Sequence, residues 1–286
     1  MKTKISFWII SALLIIIIFS VTASAQMMIP ASEKAKVTAK APDNSPVIKK
    51  AGNNFVLFPP GLEKKTFIHY AKPATGCGNG ICEPGEKKTC PADCDSIETD
   101  STCYEALGRS VKWENLPIKY FINPANLDNL STEFITDAIS SGTEEWNLHA
   151  KDTLFGDYSI DPRATLDINI PDGKNEIVFG YYPEKEAIAI TMVWGYFSGP
   201  PSTRKIIEFD ILFNITFIWG DGTKDSKRMD LQNIATHELG HAIGLADLYE
   251  MSCSEETMYG YSVEGETKKR NLNEGDITGL QKIYGK

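Results

Sequence analysis

Apolar residues recur along the second half of the chain in short stretches, either alternating with polar residues or in uninterrupted runs. Both patterns are typical of β-strands that are buried on one face or on both. Turns rich in glycine and proline separate the stretches, which cover residues 117–123, 164–170, 176–180, 187–194 and 206–214. The pattern therefore predicts a sheet built from several short strands.

Three other stretches have the apolar period of amphipathic helices. The first follows Ser131, a residue type that caps helices, and ends near His149. The second covers about residues 231–243 with Asp230 as its cap, and the third covers residues 273–284. Strands combined with such helices predict an α+β domain, in which a twisted, mainly parallel sheet packs against two long helices.

The first 25 residues have the features of a secretory signal peptide. Lys2 and Lys4 precede an apolar run over residues 5–21, and the small residues 23–25 form a cleavage pattern ending at Ala25. The run is also long enough to stay in place as an uncleaved membrane anchor, so both outcomes remain open. In either case we expect the rest of the chain to be secreted or at the cell surface. A membrane is then a partner only through that anchor.

Residues 26–75 predict a linker or a pro-segment. Up to about residue 54 they are rich in Lys, Ala, Pro and Ser and have little periodicity, as mobile linkers do. Apolar patches follow at residues 55–58 and 67–70. These patches indicate either two short strands or a pro-segment that rests on the following domain.

A small module at residues 76–95 contains four of the six cysteines, which are Cys77, Cys82, Cys90 and Cys94. A segment this short cannot bury a core, so cross-links must hold it together. We expect two disulfides, in any of three pairings, with a four-cysteine zinc site as the alternative. A Ca²⁺ ion could also bind to its oxygen ligands, Asn79, Glu83, Glu86 and Asp93. Cys103 and Cys253 remain as a further possible pair.

Charge is distributed unevenly around the net value of −9. Residues 26–75 carry eight Lys against three acids, whereas residues 76–286 carry 19 Lys and Arg against 35 Asp and Glu. This acidic part would repel phosphate, which argues against nucleic acid as a partner. From residue 101 the composition is that of an ordinary globular domain, so we predict one domain over residues 101–286.

The candidate chemistry lies in one stretch, H-E-L-G-H-A-I-G-L-A-D. His237 and His241 are four residues apart and project from one face of a helix, as ligands that suit Zn²⁺. Glu238 follows the first histidine, where its carboxylate can reach a zinc-bound water without ligating the metal. Gly244 can reverse the chain in a left-handed conformation and bring Asp247 back as a third ligand. Three protein ligands and one position for water are what a catalytic zinc site needs.

Two further histidines are the competing imidazole ligands. His149 ends a predicted helix, where we expect a structural role near the exposed carbonyls. His69 could in principle cover the zinc as an inhibitory ligand, but we favour an exposed or packing histidine. Asp247 is therefore the preferred third ligand. The alternative is a solvated turn aspartate, with water or another side chain completing the site.

The chain resembles the metzincin metallopeptidases, and within them the matrixin-like branch. Besides the histidine motif, residues 231–236 resemble the matrixin helix entry, and Met258 resembles the methionine of the Met-turn, which packs beneath the zinc. Residues 273–285 resemble the family's C-terminal helix. The likeness covers about residues 101–286. It implies a zincin fold with an active-site helix and a C-terminal helix, and one catalytic zinc.

The chain also departs from the matrixin pattern. Asp247 stands where matrixins have a third histidine, as in snapalysin-like enzymes. The extra histidines that bind the structural zinc of matrixins are missing. No Pro-Arg-Cys-Gly pro-segment is visible, so the resemblance does not extend to latency based on a thiol.

Together these features predict a secreted zinc metalloendopeptidase that acts on protein or peptide substrates, with the extracellular matrix as its expected surroundings. Glu238 would assist the attack of zinc-bound water on the peptide carbonyl. Residues 187–194 are the candidate edge strand that pairs with the substrate backbone. The alternative is a catalytically weak or inactive zinc-binding surface or adhesion protein, in which the fold survives without turnover.

Overall fold

A computed structural model describes residues 59–72 and 102–286, together with the backbone of two short strands between residues 48 and 57. The predicted signal peptide and the predicted module at residues 76–95, with its disulfides and Ca²⁺, lie outside these residues. None of the helices in the described part of the chain is long and apolar enough to cross a membrane.

The described strands form three sheets. In chain order they are β1 (Ile48–Ala51), β2 (Asn54–Leu57), β3 (Glu63–Ala71), β4 (Ile118–Ile122), β5 (Phe155–Ile160), β6 (Glu176–Gly180), β7 (Ala187–Tyr196), β8 (Lys205–Asn214), β9 (Trp219–Gly220), β10 (Met229–Asp230) and β11 (Tyr261–Ser262). β1 and β2 form an antiparallel pair, and β9 and β10 form a parallel pair. The other seven form the main sheet.

The main sheet has the order β11-β3-β7-β8-β6-β4-β5. Neighbouring strands are parallel except at β7, which is antiparallel to both β3 and β8. The sheet is thus mainly parallel, as the sequence predicts, with one reversed strand. β4, β6, β7 and β8 lie where the apolar stretches predict them.

The predicted strand at residues 164–170 is wrong, because this segment is irregular in the structure. Two of its N–H groups bond to side chains of the sheet rather than to the backbone of a neighbouring strand. The N–H of Thr165 donates to Glu176 Oε2 at 3.2 Å, and the N–H of Asp167 donates to Asp210 Oδ2 at 3.1 Å. The segment therefore covers the outer face of the sheet instead of extending it.

β5 was not among the predicted strands. Only Phe155 of its six residues is buried, and its last four residues are exposed. An edge strand that faces solvent on most of its length lacks the apolar pattern on which the prediction depends. The apolar pattern therefore could not predict β5, whose position in the sheet depends on its parallel pairing with β4.

Within residues 102–286, three α-helices accompany the sheet, namely α1 (Thr132–His149), α2 (Leu231–Ala242) and α3 (Glu274–Tyr284). Ser131 and Asp230 are the N-caps of α1 and α2, as predicted, and each accepts a backbone N–H from three residues ahead, at 3.1 and 2.8 Å. α1 and α2 contribute to one apolar core with the inner face of β8. Trp146 fastens the two helices together, because its indole N–H donates to the carbonyl of Thr236 at 2.8 Å.

A disulfide joins Cys103 to Cys253, the two cysteines that remain outside the predicted Cys-rich module. Both are buried, and the bond links the beginning of the described domain to the loop that follows α2. A bridge between Ala106 and Leu245 brings the same two regions together. The start of the domain is therefore held against the segment that carries Asp247.

Three carboxyl groups lie together on the outer face of the sheet, those of Glu208 and Asp210 fully buried and that of Asp167 partly buried. Asp167, Glu208 and Asp210 place ligand atoms within 4.8 Å of one another. Glu208 is 1% exposed, and its Oε1 has no hydrogen-bond partner among the described residues. Burial raises the pKa of Asp167 to about 6, that of Glu208 to about 8 and that of Asp210 to about 9.

This cluster makes the stability of the fold dependent on pH. The folded-state pKa of Glu208 lies above its unfolded value, so the folded protein binds the proton more tightly and loses stability as pH rises from about 4.5 through about 8. We expect Glu208→Gln to lose less stability over this pH range. Between pH 5 and pH 9 its free energy of unfolding should therefore rise by about 1–2 kcal/mol relative to that of wild type. Urea unfolding at both pH values measures this. Glu264→Gln, at an exposed position, is the control, and equal slopes for wild type and Glu208→Gln would contradict the prediction.

The Cys103–Cys253 bond closes a loop with a sequence separation of 150 residues. Loss of a native disulfide typically lowers the free energy of unfolding by about 2–5 kcal/mol. We expect a loss in this range for the double variant Cys103→Ser/Cys253→Ser, measured by denaturant unfolding. Peptide mapping without reductant should recover the two cysteines in one cross-linked peptide, and a free thiol at either position would refute the pairing.

Candidate metal centre

The two histidines of α2 are held by backbone carbonyls. His237 Nδ1 lies 2.7 Å from the carbonyl oxygen of Thr257, and His241 Nδ1 lies 3.0 Å from that of Leu245. A carbonyl oxygen only accepts, so each Nδ1 must carry the proton and donate. Each Nε2 is then left with an unprotonated lone pair. This is the arrangement by which proteins orient histidines toward a metal.

The turn after α2 brings Asp247 to the same point. Gly244 has a φ of +104°, which favours glycine, and it ends the helix at the position that the sequence predicts. Asp247 Oδ1 then lies 3.2 Å from His237 Nε2 and 3.4 Å from His241 Nε2, and the two nitrogens are 3.1 Å apart. The structure thus brings the three predicted ligands together.

These three atoms suit a cation. None of them has a proton to share, so the lone pairs would repel one another without a positive charge between them. Zinc bonds of about 2.0–2.2 Å in a tetrahedron separate the ligand atoms by about 3.3–3.5 Å, which is close to the observed spacing. The third atom belongs to a carboxylate, because an aspartate with an ordinary pKa of about 4 is ionised at neutral pH.

Glu238 lies beside this group with one oxygen anchored. The hydroxyl of Thr191 on β7 donates to Glu238 Oε2 at 2.5 Å, whereas Oε1 is buried without a hydrogen-bond partner in the described chain. Burial raises the pKa of Glu238 to about 7. Sequence reasoning missed Thr191. The only signal for it is a single hydroxyl in the apolar run of β7.

Met258 packs beneath the centre of α2. A side chain at Gly240 would collide with the Met258 sulfur, so the methionine needs a glycine above it. Asp276, at the start of α3, accepts the backbone N–H groups of Thr257 at 2.7 Å and Met258 at 3.0 Å. Because Thr257 in turn accepts from His237, Asp276 positions the first histidine indirectly. The sequence marked Asp276 only as part of a helix start.

A buried lysine lies close to His69, with its Nζ 3.4 Å from His69 Nε2. Lys269 is fully buried, and its three N–H groups donate to the carbonyls of Tyr259 and Tyr261 and to Ser262 Oγ, at 2.7, 2.6 and 2.7 Å. Glu266 lies 3.5 Å away and balances its charge. Burial lowers the pKa of Lys269 to about 8. Nothing in the local sequence distinguishes it from the neighbouring exposed lysines.

The other two histidines, His149 and His69, differ in how close they lie to the candidate metal centre. His149 lies 3.3 Å from the carboxylate of Glu145 at the end of α1, away from the centre. His69 is fully buried, and its ring packs edge-on against that of His237 with centroids 3.9 Å apart. The sequence favoured an exposed or packing histidine; the structure excludes exposure, and the contact with His237 agrees with a packing position.

β7 is not a free edge strand in this chain, which corrects the sequence-based expectation. It is the outermost strand of the main sheet within residues 102–286, but β3 pairs with its outer side from Glu63 to Tyr70. β3 is part of the predicted linker or pro-segment, and no pattern in residues 187–194 could reveal this remote partner.

The model that describes the matrixin family of peptidases matches residues 112–285. Among curated proteins, metalloendoproteinase 4-MMP of Arabidopsis thaliana is 38% identical over 65 residues, which are 23% of this chain and 18% of that protein. Human matrix metalloproteinase-25 is 36% identical over 80 residues, or 28% of this chain and 14% of the relative. Metalloendoproteinase 1 of Glycine max is 38% identical over 68 residues, or 23% and 21%.

The matching part spans only about a fifth or less of the length of these relatives. The family model, in contrast, covers more than half of this chain and includes the metal centre, the Met258 turn and α3. The α+β fold and the convergence of two helical histidines agree with that match. The chain therefore belongs to the matrixin family, within the metzincin metallopeptidases.

Proposed function

We propose that this protein is a secreted zinc endopeptidase that hydrolyses peptide bonds in protein substrates. The observation that carries the proposal is the convergence of three proton-free ligand atoms, with the carboxylate of Glu238 beside them. Membership of the matrixin family supports the same reaction.

His237, His241 and Asp247 would hold one catalytic zinc. When bound, the zinc supplies Lewis-acid chemistry, which makes water a better nucleophile at neutral pH and stabilises negative charge on the substrate oxygen. The carbonyls of Thr257 and Leu245 keep both imidazoles turned toward this point.

Glu238 is the proposed general base. Thr191 fixes one of its oxygens, so the other, Oε1, stays available to take a proton from the attacking water and later to give it to the leaving amine. Burial raises the pKa of Glu238 above that of an exposed glutamate, which suits a group that must both take up and return a proton.

The substrate would bind as an extended chain along β7. β7 already accepts an antiparallel partner, β3, on its outer side, which indicates that its backbone can pair with an extended peptide. β11 would border the same cleft on the far side, since it pairs with the end of β3. Substrate peptides would therefore lie between β7 and β11.

The proposal includes the predicted organisation of the chain. Residues 1–25 direct secretion or anchor the protein, residues 26–75 precede the Cys-rich module at 76–95, and the catalytic domain occupies 101–286. A disulfide between Cys103 and Cys253 suits an oxidising compartment outside the cytoplasm. A Ca²⁺ ion in the Cys-rich module is part of the same proposal. The alternative remains a zinc-binding surface protein with little or no turnover.

The decisive variant is Glu238→Gln, which keeps the shape of the side chain and removes the base. We expect zinc content equal to wild type, but hydrolysis of casein lowered by about 10²–10⁴-fold. Because β3 covers β7, each assay is run in the wild-type background and with Phe67→Pro, which breaks the pairing of β3. Zinc binding with no cleavage of casein or of a diverse peptide library in either background would favour the zinc-binding alternative.

Asp247→Asn tests the third ligand. An amide is a weaker zinc ligand than a carboxylate, so we expect zinc affinity to fall by more than the roughly 10–100-fold typical of changes to groups behind the ligands. Competition with a metal chelator measures this without any assay of activity. Asp152→Asn, at an exposed position, is the matched control. Unchanged affinity for Asp247→Asn would mean that Asp247 is a turn residue and that another group completes the site.

A further inference from the structure

β3 lies in the cleft where the substrate is proposed to bind. It runs antiparallel to β7 from Glu63 to Tyr70, and its last residues pair in parallel with β11. Both sides of the cleft are therefore engaged by a strand that precedes the catalytic domain in sequence. An extended peptide would have to displace β3 to reach β7.

Side chains of β3 also cover both histidine ligands. The ring of Phe67 stacks on that of His241, with centroids 4.1 Å apart and planes only 8° from parallel. The ring of His69 packs edge-on against His237. Two alternate residues of one strand thus face the two imidazoles, so the strand is aligned with the metal centre and not only with the edge of the sheet.

The hydrogen bonds around His69 determine where its proton is. All three N–H groups of Lys269 donate to the oxygen atoms of Tyr259, Tyr261 and Ser262. The hydroxyl of Ser262 donates to Glu266 Oε1 at 3.0 Å. His69 Nε2 lies 2.9 Å from Ser262 Oγ and 3.4 Å from Lys269 Nζ. Because the Lys269 protons go to closer oxygens and the Ser262 proton goes to a carboxylate, we assign Nε2 as the donor to Ser262 Oγ.

His69 Nδ1 consequently has no proton and carries a free lone pair. It is buried and has no hydrogen-bond partner among the described residues. A ring nitrogen of His69 lies within 4.8 Å of ligand atoms of His237 and Glu238. A neutral imidazole with a free lone pair at this point has the chemistry of a zinc ligand.

We propose that His69 is an additional ligand of the metal and that β3 is a built-in inhibitor of the cleft. This inference deepens the proposed function and depends on its zinc site. His69 would occupy the position that a catalytic zinc keeps open for water, so Glu238 would have no water to activate. Latency would then arise from an imidazole on a paired strand, in a chain that lacks the Pro-Arg-Cys-Gly pro-segment.

The test uses the full chain with Co²⁺ in place of zinc, because the visible spectrum of Co²⁺ reports its ligands. We expect His69→Ala to change this spectrum, whereas His149→Ala leaves it as in wild type. Acetohydroxamate, a small metal chelator, should bind at least about tenfold more tightly to His69→Ala, since an open position replaces a protein ligand. Phe67→Pro, which keeps His69 but disrupts β3, should shift both readouts in the same direction.

The outcomes separate this inference from the proposed function. If His69→Ala and Phe67→Pro both match wild type in spectrum and acetohydroxamate affinity, His69 is a packing residue and the inference is overturned. A spectral change with casein cleavage increased in His69→Ala supports the inference and the endopeptidase together. A spectral change with no casein cleavage by any variant supports His69 as an extra ligand but contradicts the proposed endopeptidase function.

Discussion

The orientation of two imidazoles is the constraint on which the metal centre depends. Each histidine of α2 donates from Nδ1 to a backbone carbonyl, which turns Nε2 toward one point and leaves it without a proton. The carbonyl for His241 comes from the turn after Gly244, and that for His237 comes from Thr257. The same turn delivers Asp247. One turn therefore determines both the orientation of His241 and the position of Asp247. A change in this turn would move the carbonyl that orients His241 and the carboxylate of Asp247 together.

Much of the remaining domain keeps these two carbonyls in place. Asp276 holds the segment of Thr257 and Met258 from the start of α3, and Met258 fills the space that Gly240 leaves beneath α2. The disulfide between Cys103 and Cys253 ties the loop after Asp247 to the beginning of the domain. These contacts come from three different parts of the chain. They make the centre rigid before any metal or substrate binds, which is what precise catalysis requires.

Polar groups buried around the centre have related roles. Lys269 uses all three N–H groups on neighbouring oxygens, so its charge is compensated, and it determines the tautomer of His69 through Ser262. Thr191 restrains Glu238 in a similar way. The buried polar groups around the centre are thus hydrogen-bonded to neighbours, apart from His69 Nδ1, Glu238 Oε1 and Asp247 Oδ1, which have no hydrogen-bond partner among the described residues. The convergence of ligand atoms from His237, His241 and Asp247 is the chemical property that the fold creates.

The sequence by itself determined the helix caps at Ser131 and Asp230, the four strands β4, β6, β7 and β8, the turn at Gly244 and the candidate ligands of the motif. These depend on local spacing and residue chemistry, which a single stretch of chain contains. Only the tertiary structure decided that β3 covers β7, that His69 meets His237, that Lys269 is buried and that residues 164–170 bond to carboxylates instead of forming a strand. Each of these depends on partners far apart in the chain, and the local pattern of a strand or a lysine is the same whether or not such a partner is present.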